Sequence, residues 1–389
     1  MMADNIEHVI SYWVIFQKFH SPTLGGFAVV SHWLPFLLFS VYSGALADRF
    51  DTRRIIQLGM VLFMCVSFAW GLLFVTDSVR IWHAVVLLSV HGVAGVLWSP
   101  ASQLIIHDIV GPAQLPSAVR LNATVRYAGM LIGPALGGAL LLLFGPSAGI
   151  ALNALIYLPM IVFLWKAPYG LKARVAESAP RTLRGFGELR AAFREVAANP
   201  VLTSVSLLAA CVSFLVGNSY QAQMPGFAAH LGHGNPGVAY SMLLAADAGG
   251  ALLAGLALET HGLLVPRVKT AMLLAMLWCC ALITFASTSL YPLALSALFV
   301  AGFFELSFSS MAQTLLQLNA TPGLRGRAIG VYSMGALGMR TFSGFSVGFA
   351  GALLGIHHSL ALSAALVLLI VIALLGFYVR RTSRAAAPA

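Results

Sequence analysis

Apolar residues run almost unbroken for about twenty positions at a time through most of this chain. "IQLGMVLFMCVSFAWGLLFV" (Ile56–Val75) is one such stretch and "LALSAALVLLIVIALLGFYV" (Leu360–Val379) another. A membrane barrel strand would instead alternate apolar and polar residues over about ten positions. In hydrocarbon the backbone must satisfy its own hydrogen bonds, so stretches of this length read as helices crossing a core of about 30 Å. Only 9% of the 389 residues are Asp, Glu, Lys or Arg, against about 25% in a soluble domain. The surface of this chain therefore faces lipid, and the fold class is all-α integral membrane.

The runs fall near 6–19, 24–47, 56–76, 83–106, 118–144 and 147–165, then 201–222, 237–258, 268–288, 291–316, 328–355 and 359–379. This predicts twelve transmembrane helices: a six-helix bundle over 1–165, a second over 200–379, a polar linker over 166–199 and a basic tail over 380–389. The first run is short, and the chain reads as starting partway along its first helix. In the linker, "GELRAAFREVAAN" has helical spacing with Leu189, Phe193 and Val196 on one face, which predicts an amphipathic helix lying on a leaflet. If the loop at 48–54 is cytoplasmic, 18 of the 22 basic residues fall on that side, so the positive-inside rule places both termini in the cytoplasm.

The halves repeat. Gly44 and Asp48 match Gly255 and Glu259 at an offset of 211, and Gly138 and Gly145 match Gly348 and Gly355 at an offset of 210. Two matches at nearly one offset on a six-plus-six layout predict homologous bundles related by a pseudo-twofold axis along the membrane normal.

Charge is rare, yet three arginines and two aspartates stand between Asp48 and Arg54, in "SGALADRFDTRRI". Gly44, Leu46, Asp48, Arg49, Arg53 and Arg54 resemble the G-x-L-a-D-R-x-x-x-R-R loop between the second and third spans of the major facilitator superfamily. Asp51 departs from the pattern, which usually has glycine there. The resemblance implies a cytoplasmic gate: Gly44 allows close helix approach, and Asp48 accepts from arginines or a helix N-terminus, with the eleventh run near Ala328 as partner. A second stretch, "GMLIGPALGG", carries Gly129, Gly133, Pro134, Gly137 and Gly138. It resembles the superfamily's antiporter motif, which implies export. Glycines four apart allow tight packing, and Pro134 removes a backbone donor, so this face is expected to seal against the other half. With "LPFLL" and the "RGRA" at Arg325–Ala328, the chain is similar to bacterial exporters related to the enterobactin exporter, of the transmembrane secretion effector type.

Ionisable side chains at membrane depth are costly and usually functional. The acids there are Asp4 and Glu7 on the first run, Asp247 on the eighth and Glu305 on the tenth. These four are the candidates for proton coupling, Glu7 first among them with Asp4 three residues away. Arg126 and Arg340 are their intramembrane charge partners: Arg126 is expected near Glu7 or Asp4, and Arg340 near Asp247 or Glu305. His32 and His91 read as structural. His230 and His233 in "HLGHG", and His357 and His358, lie in outer loops with no third ligand, so no metal ligands are assigned. Trp13, Phe16, Trp33, Phe36, Phe214 and Tyr220 suit a cavity for a bulky apolar substrate.

Cys65, Cys211, Cys279 and Cys280 all sit inside apolar runs, which fits packing and not a disulfide framework. There is no phosphate-binding loop of the G-x-x-x-x-G-K-[ST] type and no catalytic constellation, so no catalytic residue and no enzymatic activity are assigned. The basic residues are not interleaved with aromatics, which excludes a nucleic-acid partner. The expected protein is a monomeric exporter of a small molecule (a drug, siderophore or metabolite) in a bacterial inner membrane. It needs no cofactor, because the proton gradient is its energy source. A uniporter or proton-coupled importer of the same fold, or a nontransporting membrane sensor, are the alternatives.

Overall fold

Long apolar stretches make long helices here because lipid leaves the backbone no other way to pair its polar groups. The computed structural model describes residues 2–19, 22–168, 186–217, 220, 224–231, 236–261, 265–321, 323–343 and 350–386. Among them the elements are α1 (Met2–Phe19), α2 (Pro22–Arg49), α3 (Thr52–Val75), α4 (Ile81–Leu155), α5 (Leu158–Lys166), α6 (Phe186–Ala198), α7 (Pro200–Leu215), α8 (Met224–Leu231), α9 (Pro236–His261), α10 (Val268–Ser287), α11 (Tyr291–Asn319), α12 (Arg325–Ser333), α13 (Arg340–Ser343), α14 (Ala350–Leu354) and α15 (Ile356–Ala386). A π-helical turn, Met334–Gly338, lies between α12 and α13. Gly348, His233 and most of the linker lie outside the described residues.

The helical run of α4 covers more than one crossing. A left-handed residue cannot continue a right-handed helix, and Gly111 (φ 68°) and Gly145 (φ 72°) are both left-handed. The turn at Gly145 folds the chain back: a β-carbon on Gly149 would sit 3.1 Å from the Leu140 carbonyl oxygen. In all, eight helices among the described residues are long and apolar enough to cross a membrane, or nine if α6 and α7, bent by 111° at Asn199, form one. The count falls below twelve partly because α1 carries Asp4, Glu7 and Lys18, and because 344–349 lie outside the described residues. Leu142 and Leu143 are 86% and 75% exposed, as lipid-facing side chains are.

By packing, the chain divides into one unit of Met1–Ile109, Ala128–Leu189 and Thr321–Met334, and a second of Val110–Tyr127, Arg190–Ala320 and Gly335–Ala389. Unlike the expected halves, 1–165 and 200–379, these units place 110–127 with the later part of the chain and 321–334 with the earlier part. Close glycine contacts accompany the exchange. In the first unit Gly44 of α2 lies against the backbone of Gly326, and Ser40 and Val41 lie against Gly330, with a Gly330 β-carbon 2.8 Å from the Val41 Cα. In the second unit the matching glycine, Gly255 of α9, lies against Thr124. Each repeat glycine thus receives a helix from the other half of the sequence. The first unit's core joins Ile6, Ile10 and Ile15 of α1 with Val66 and Trp70 of α3 and Leu88 and Ile150 of α4.

The polar linker ends in α6, where Ala192 and Val196 are buried and Phe193 is 41% exposed. Pro200 opens α7 behind an Asn199 cap, whose Oδ1 accepts from Val201 N at 2.9 Å. The described cysteines are all free.

Asp51 explains its own departure from the loop pattern. It is the N-cap of α3, and its Oδ1 accepts from Arg53 N at 3.0 Å. Burial would raise its carboxyl, but the hydrogen bonds from Arg53, aided by the Arg53 and Arg54 charges, hold it below the usual carboxylate value. With the folded value below the unfolded one, the cap stabilises at neutral pH, and that contribution is lost as pH falls through the folded value. Asp51→Ala should cost about 1 kcal/mol. Thermal melting of the purified protein should show this gap at pH 7 and its narrowing in acid; a gap that persists unchanged in acid would contradict the assignment.

Candidate functional site

The first unit buries a polar knot among α1, α2, α3 and α4. Gly133 and Gly137 seat α1 closely: β-carbons there would lie 2.8 Å from the Asn5 Cβ and 3.1 Å from the Val9 Cβ. Gly92 touches the Ser31 carbonyl of α2 and, with an added β-carbon, would come 2.9 Å from Pro35 Cγ. That contact brings the neighbouring residues His91 and His32 together, their ring centroids 5.7 Å apart. Asp4 and His8, one turn apart on α1, share a face. His91 joins the two expected proton carriers, with Nε2 at 2.7 Å from Asp4 Oδ1 and Nδ1 at 2.8 Å from Glu7 Oε1. Ser67 donates to the other Glu7 oxygen, and Asn153 Nδ2 donates to Ser67 Oγ at 3.4 Å. The His8 ring lies 4.8 Å from each of the His32 and His91 rings. One ligating atom from each of Asp4, His8, His32 and His91 falls within 4.8 Å of the others. Sequence reasoning passed over His8, and its signal was available: it follows Glu7 directly and stands four residues after Asp4.

The second unit holds the other acids. α9 and α11 cross in backbone contact, Gly250 against the Phe299 carbonyl and Gly302 against the Asp247 carbonyl. This crossing sets Asp247 beside Glu305. The Tyr220 hydroxyl reaches both, 3.2 Å from Asp247 Oδ2 and 3.2 Å from Glu305 Oε2. Tyr127 also hydrogen-bonds Glu305, and the charges of Arg340 and Arg126 both act on it. Arg340 therefore stands by the acid expected for it. Arg126 differs from expectation: its surroundings are Glu305, Tyr127 and Arg340. The reason is the exchange of 110–127, which carries Arg126 into the second unit.

The 44–54 loop meets α12. Asp48 Oδ1 accepts from Gly326 N at 2.5 Å and Oδ2 from Arg327 N at 2.9 Å. These are two of the first-turn amides that a helix leaves unpaired, so Asp48 serves as the N-cap that Leu324 cannot supply, and its charge meets the positive end of the helix. Arg53 Nη2 pairs with Asp51 Oδ2 at 2.6 Å, and its Nη1 donates to the Ala167 carbonyl at the end of α5 at 2.5 Å. Arg54 Nη1 donates to Gln57 Oε1 at 3.1 Å, while Arg49 lies over the Phe50 ring. Leu46 is half-buried. Arg325 Nη1 lies 3.1 Å from His107 Nδ1.

In the motif of α4, Gly129, Gly133 and Gly137 are buried, Gly138 is half-buried and Pro134 is exposed. Gly133 and Gly137 serve α1 of the same unit, whereas the sequence reading had this face sealing against the other half. Of the aromatics, Trp13 and Phe214 are exposed, Trp33 stands edge-on to His32 at 4.4 Å, Phe36 is buried and Tyr220 belongs to the acid cluster; the Phe16 side chain lies outside the described residues. His230 stacks on His357 at 5.4 Å.

A family model described as "transmembrane secretion effector" matches residues 2–389. The chain belongs to this family of the major facilitator superfamily. It is 26% identical over 206 residues to the MFS-type transporter YfiS of Bacillus subtilis, 52% of this chain and 47% of that one. It is 23% identical to the staphyloferrin A transporter of Staphylococcus aureus over 43% of each chain. The putative multidrug resistance protein MdtD of Salmonella typhi is 34% identical over 31% of this chain and 24% of its own. The chain thus spans less than half the length of each of these relatives in the matched regions. The fold is that of the proton:xylose symporter XylE (TM-score 0.74, 14% identity, 97% of this chain and 93% of that one). It is shared with a variant of the E. coli fucose:proton symporter FucP (TM-score 0.69, 12% identity, 97% and 96%). The chain is a multi-pass membrane protein of the major facilitator fold.

Asp48→Ala should free the two capped amides and destabilise the start of α12 by about 1–2 kcal/mol. Hydrogen exchange at Gly326 and Arg327 should quicken in the variant. Unchanged exchange there would show that the cap does not hold the helix end.

Proposed function

We propose that the transporter exports a small molecule in exchange for protons by alternating access, in a bacterial inner membrane. The observation that carries the proton step is the Tyr220 hydroxyl placed 3.2 Å from both Asp247 and Glu305. One hydroxyl has one hydrogen to donate, so it serves one carboxylate at a time. A proton taken up by either carboxyl supplies the second hydrogen, and the pair can then exist in a proton-loaded and a proton-free form. Arg126, Arg340 and Tyr127 complete the surroundings of Glu305. An anionic or hydroxyl-bearing group of the substrate would compete with Glu305 for these donors, which couples its binding to proton release. Of the two acid sets, Asp247 and Glu305 suit this exchange better than Asp4 and Glu7, both of which His91 holds.

Export is favoured by the Gly129–Gly138 motif and by the names of two relatives, a multidrug resistance protein and a siderophore transporter. The basic residues argue for cytoplasmic termini and a cytoplasmic 48–54 loop. There the Asp48 cap on α12 would act as a latch, released when the cytoplasmic side opens. The proton gradient is the energy source, with no cofactor, and the transporter works as a monomer.

Proteoliposomes with an imposed pH gradient, offered siderophores and lipophilic drugs in turn, test this reading. Wild type should accumulate its substrate against a gradient as protons leave. Glu305→Gln should lose accumulation by more than tenfold while retaining downhill exchange. A Glu305→Gln protein that still concentrates substrate, or proton-driven movement in the opposite sense, would overturn the reading, the latter marking an importer.

A further inference from the structure

We propose that Asp4, His8, His32 and His91 form a binding site for one divalent transition-metal ion of the zinc type, with Glu7 orienting His91. The site lies in the first unit, apart from the acid pair assigned to proton exchange, and stands whichever way the substrate moves.

Four side chains from three helices converge: Asp4 and His8 from α1, His32 from α2 and His91 from α4. Their ligating atoms all lie within 4.8 Å of one another. Around a tetrahedral ion with bonds of about 2.0–2.1 Å, ligand atoms stand about 3.3 Å apart. No two ligating atoms therefore stand more than about 1.5 Å beyond the spacing that a bound ion would set. Three imidazoles and one carboxylate suit borderline ions such as Zn²⁺, Co²⁺ and Ni²⁺ and disfavour Ca²⁺ and Mg²⁺, which prefer all-oxygen shells.

The shell behind the cluster points the same way. An imidazole bound to a metal usually donates its second ring N–H to a carboxylate, which fixes the tautomer and the ring plane. His91 has this arrangement: Nδ1 lies 2.8 Å from Glu7 Oε1, and Nε2 faces the cluster, 2.7 Å from Asp4 Oδ1. Glu7 is itself fixed by Ser67, which Asn153 supports. The second feature is His8, whose Nε2 is buried without a hydrogen-bond partner among the described residues. A buried imidazole nitrogen without a partner is costly, and a metal ion would satisfy it. Two aromatics border the site, Phe63 at 4.7 Å from the His91 ring and Tyr12 stacked at 4.9 Å on His8.

The test uses the full chain in detergent, stripped with a chelator and titrated with Co²⁺. Wild type should bind one Co²⁺, with the intense visible absorption of a tetrahedral N/O site, and Zn²⁺ should displace it. The ion ties α1, α2 and α4 together, so Zn²⁺ should also raise the melting temperature. His32→Ala and Asp4→Asn should each weaken binding by at least tenfold, and Glu7→Gln by about 10–100-fold. His358→Ala, at an exposed position, should bind as wild type does. Melting without metal reports whether each variant folds, and His8→Gln stands in for any that does not. Absence of stoichiometric Co²⁺ binding by wild type overturns the proposal. So does binding that survives undiminished in folded His32→Ala and His8→Gln proteins.

Discussion

Helices in lipid gain little by hiding apolar surface from one another, because the acyl chains are as apolar as leucine. Their contacts depend on close backbone approach between small residues. The two buried polar clusters and the Asp48 cap stand beside such contacts. Gly92 on Ser31 brings His91 to His32; Gly133 and Gly137 bring in the helix that carries Asp4, Glu7 and His8. Gly250 and Gly302 hold α9 against α11, which pairs Asp247 with Glu305. Gly44 and Gly330 hold α2 against α12, which puts Asp48 on two open amides. The 37 glycines of the chain matter here chiefly at these few crossings, where a single added methyl would separate groups that must touch.

The two units carry different polar chemistry on related scaffolds. The first unites carboxylates with imidazoles; the second unites carboxylates with tyrosines and guanidinium groups. Repeat-related glycines perform equivalent packing in both, Gly44 on α12 and Gly255 on the 110–127 stretch. The close glycine contacts are thus alike in the two units, while the buried polar side chains differ. The loop charges differ as well, since Glu259 is the one acid of the second half at the offset that matches "ADRFDTRR".

Much of the fold could be read in the sequence because its signals are local. Twenty-residue apolar runs mark helices wherever they occur, and the glycine–acid–arginine loop identified the superfamily. The turn at Gly145 was implied by the gap between two runs. Asp51 was visible as an unusual residue, and its capping role could have been read from its place just before Thr52. What could not be read was the partner of each buried group. His32 and His91 are 59 positions apart, so nothing local pairs them, whereas His8 could have been placed with Asp4 from their spacing of four. Arg126 was expected near the first-helix acids because they share a half of the sequence. The exchange of 110–127 between units, which overrides that proximity, is a property of tertiary packing alone.

The cap that Asp48 places on α12 also has a consequence for solvent. Its two carboxylate oxygens take the place that water would otherwise occupy at the amides of Gly326 and Arg327. Any rearrangement that draws α2 away from α12 must hydrate a carboxylate and a helix terminus together. On the proposed alternating-access reading, opening there would take up water, so that desiccating or strongly osmotic conditions would favour the closed contact.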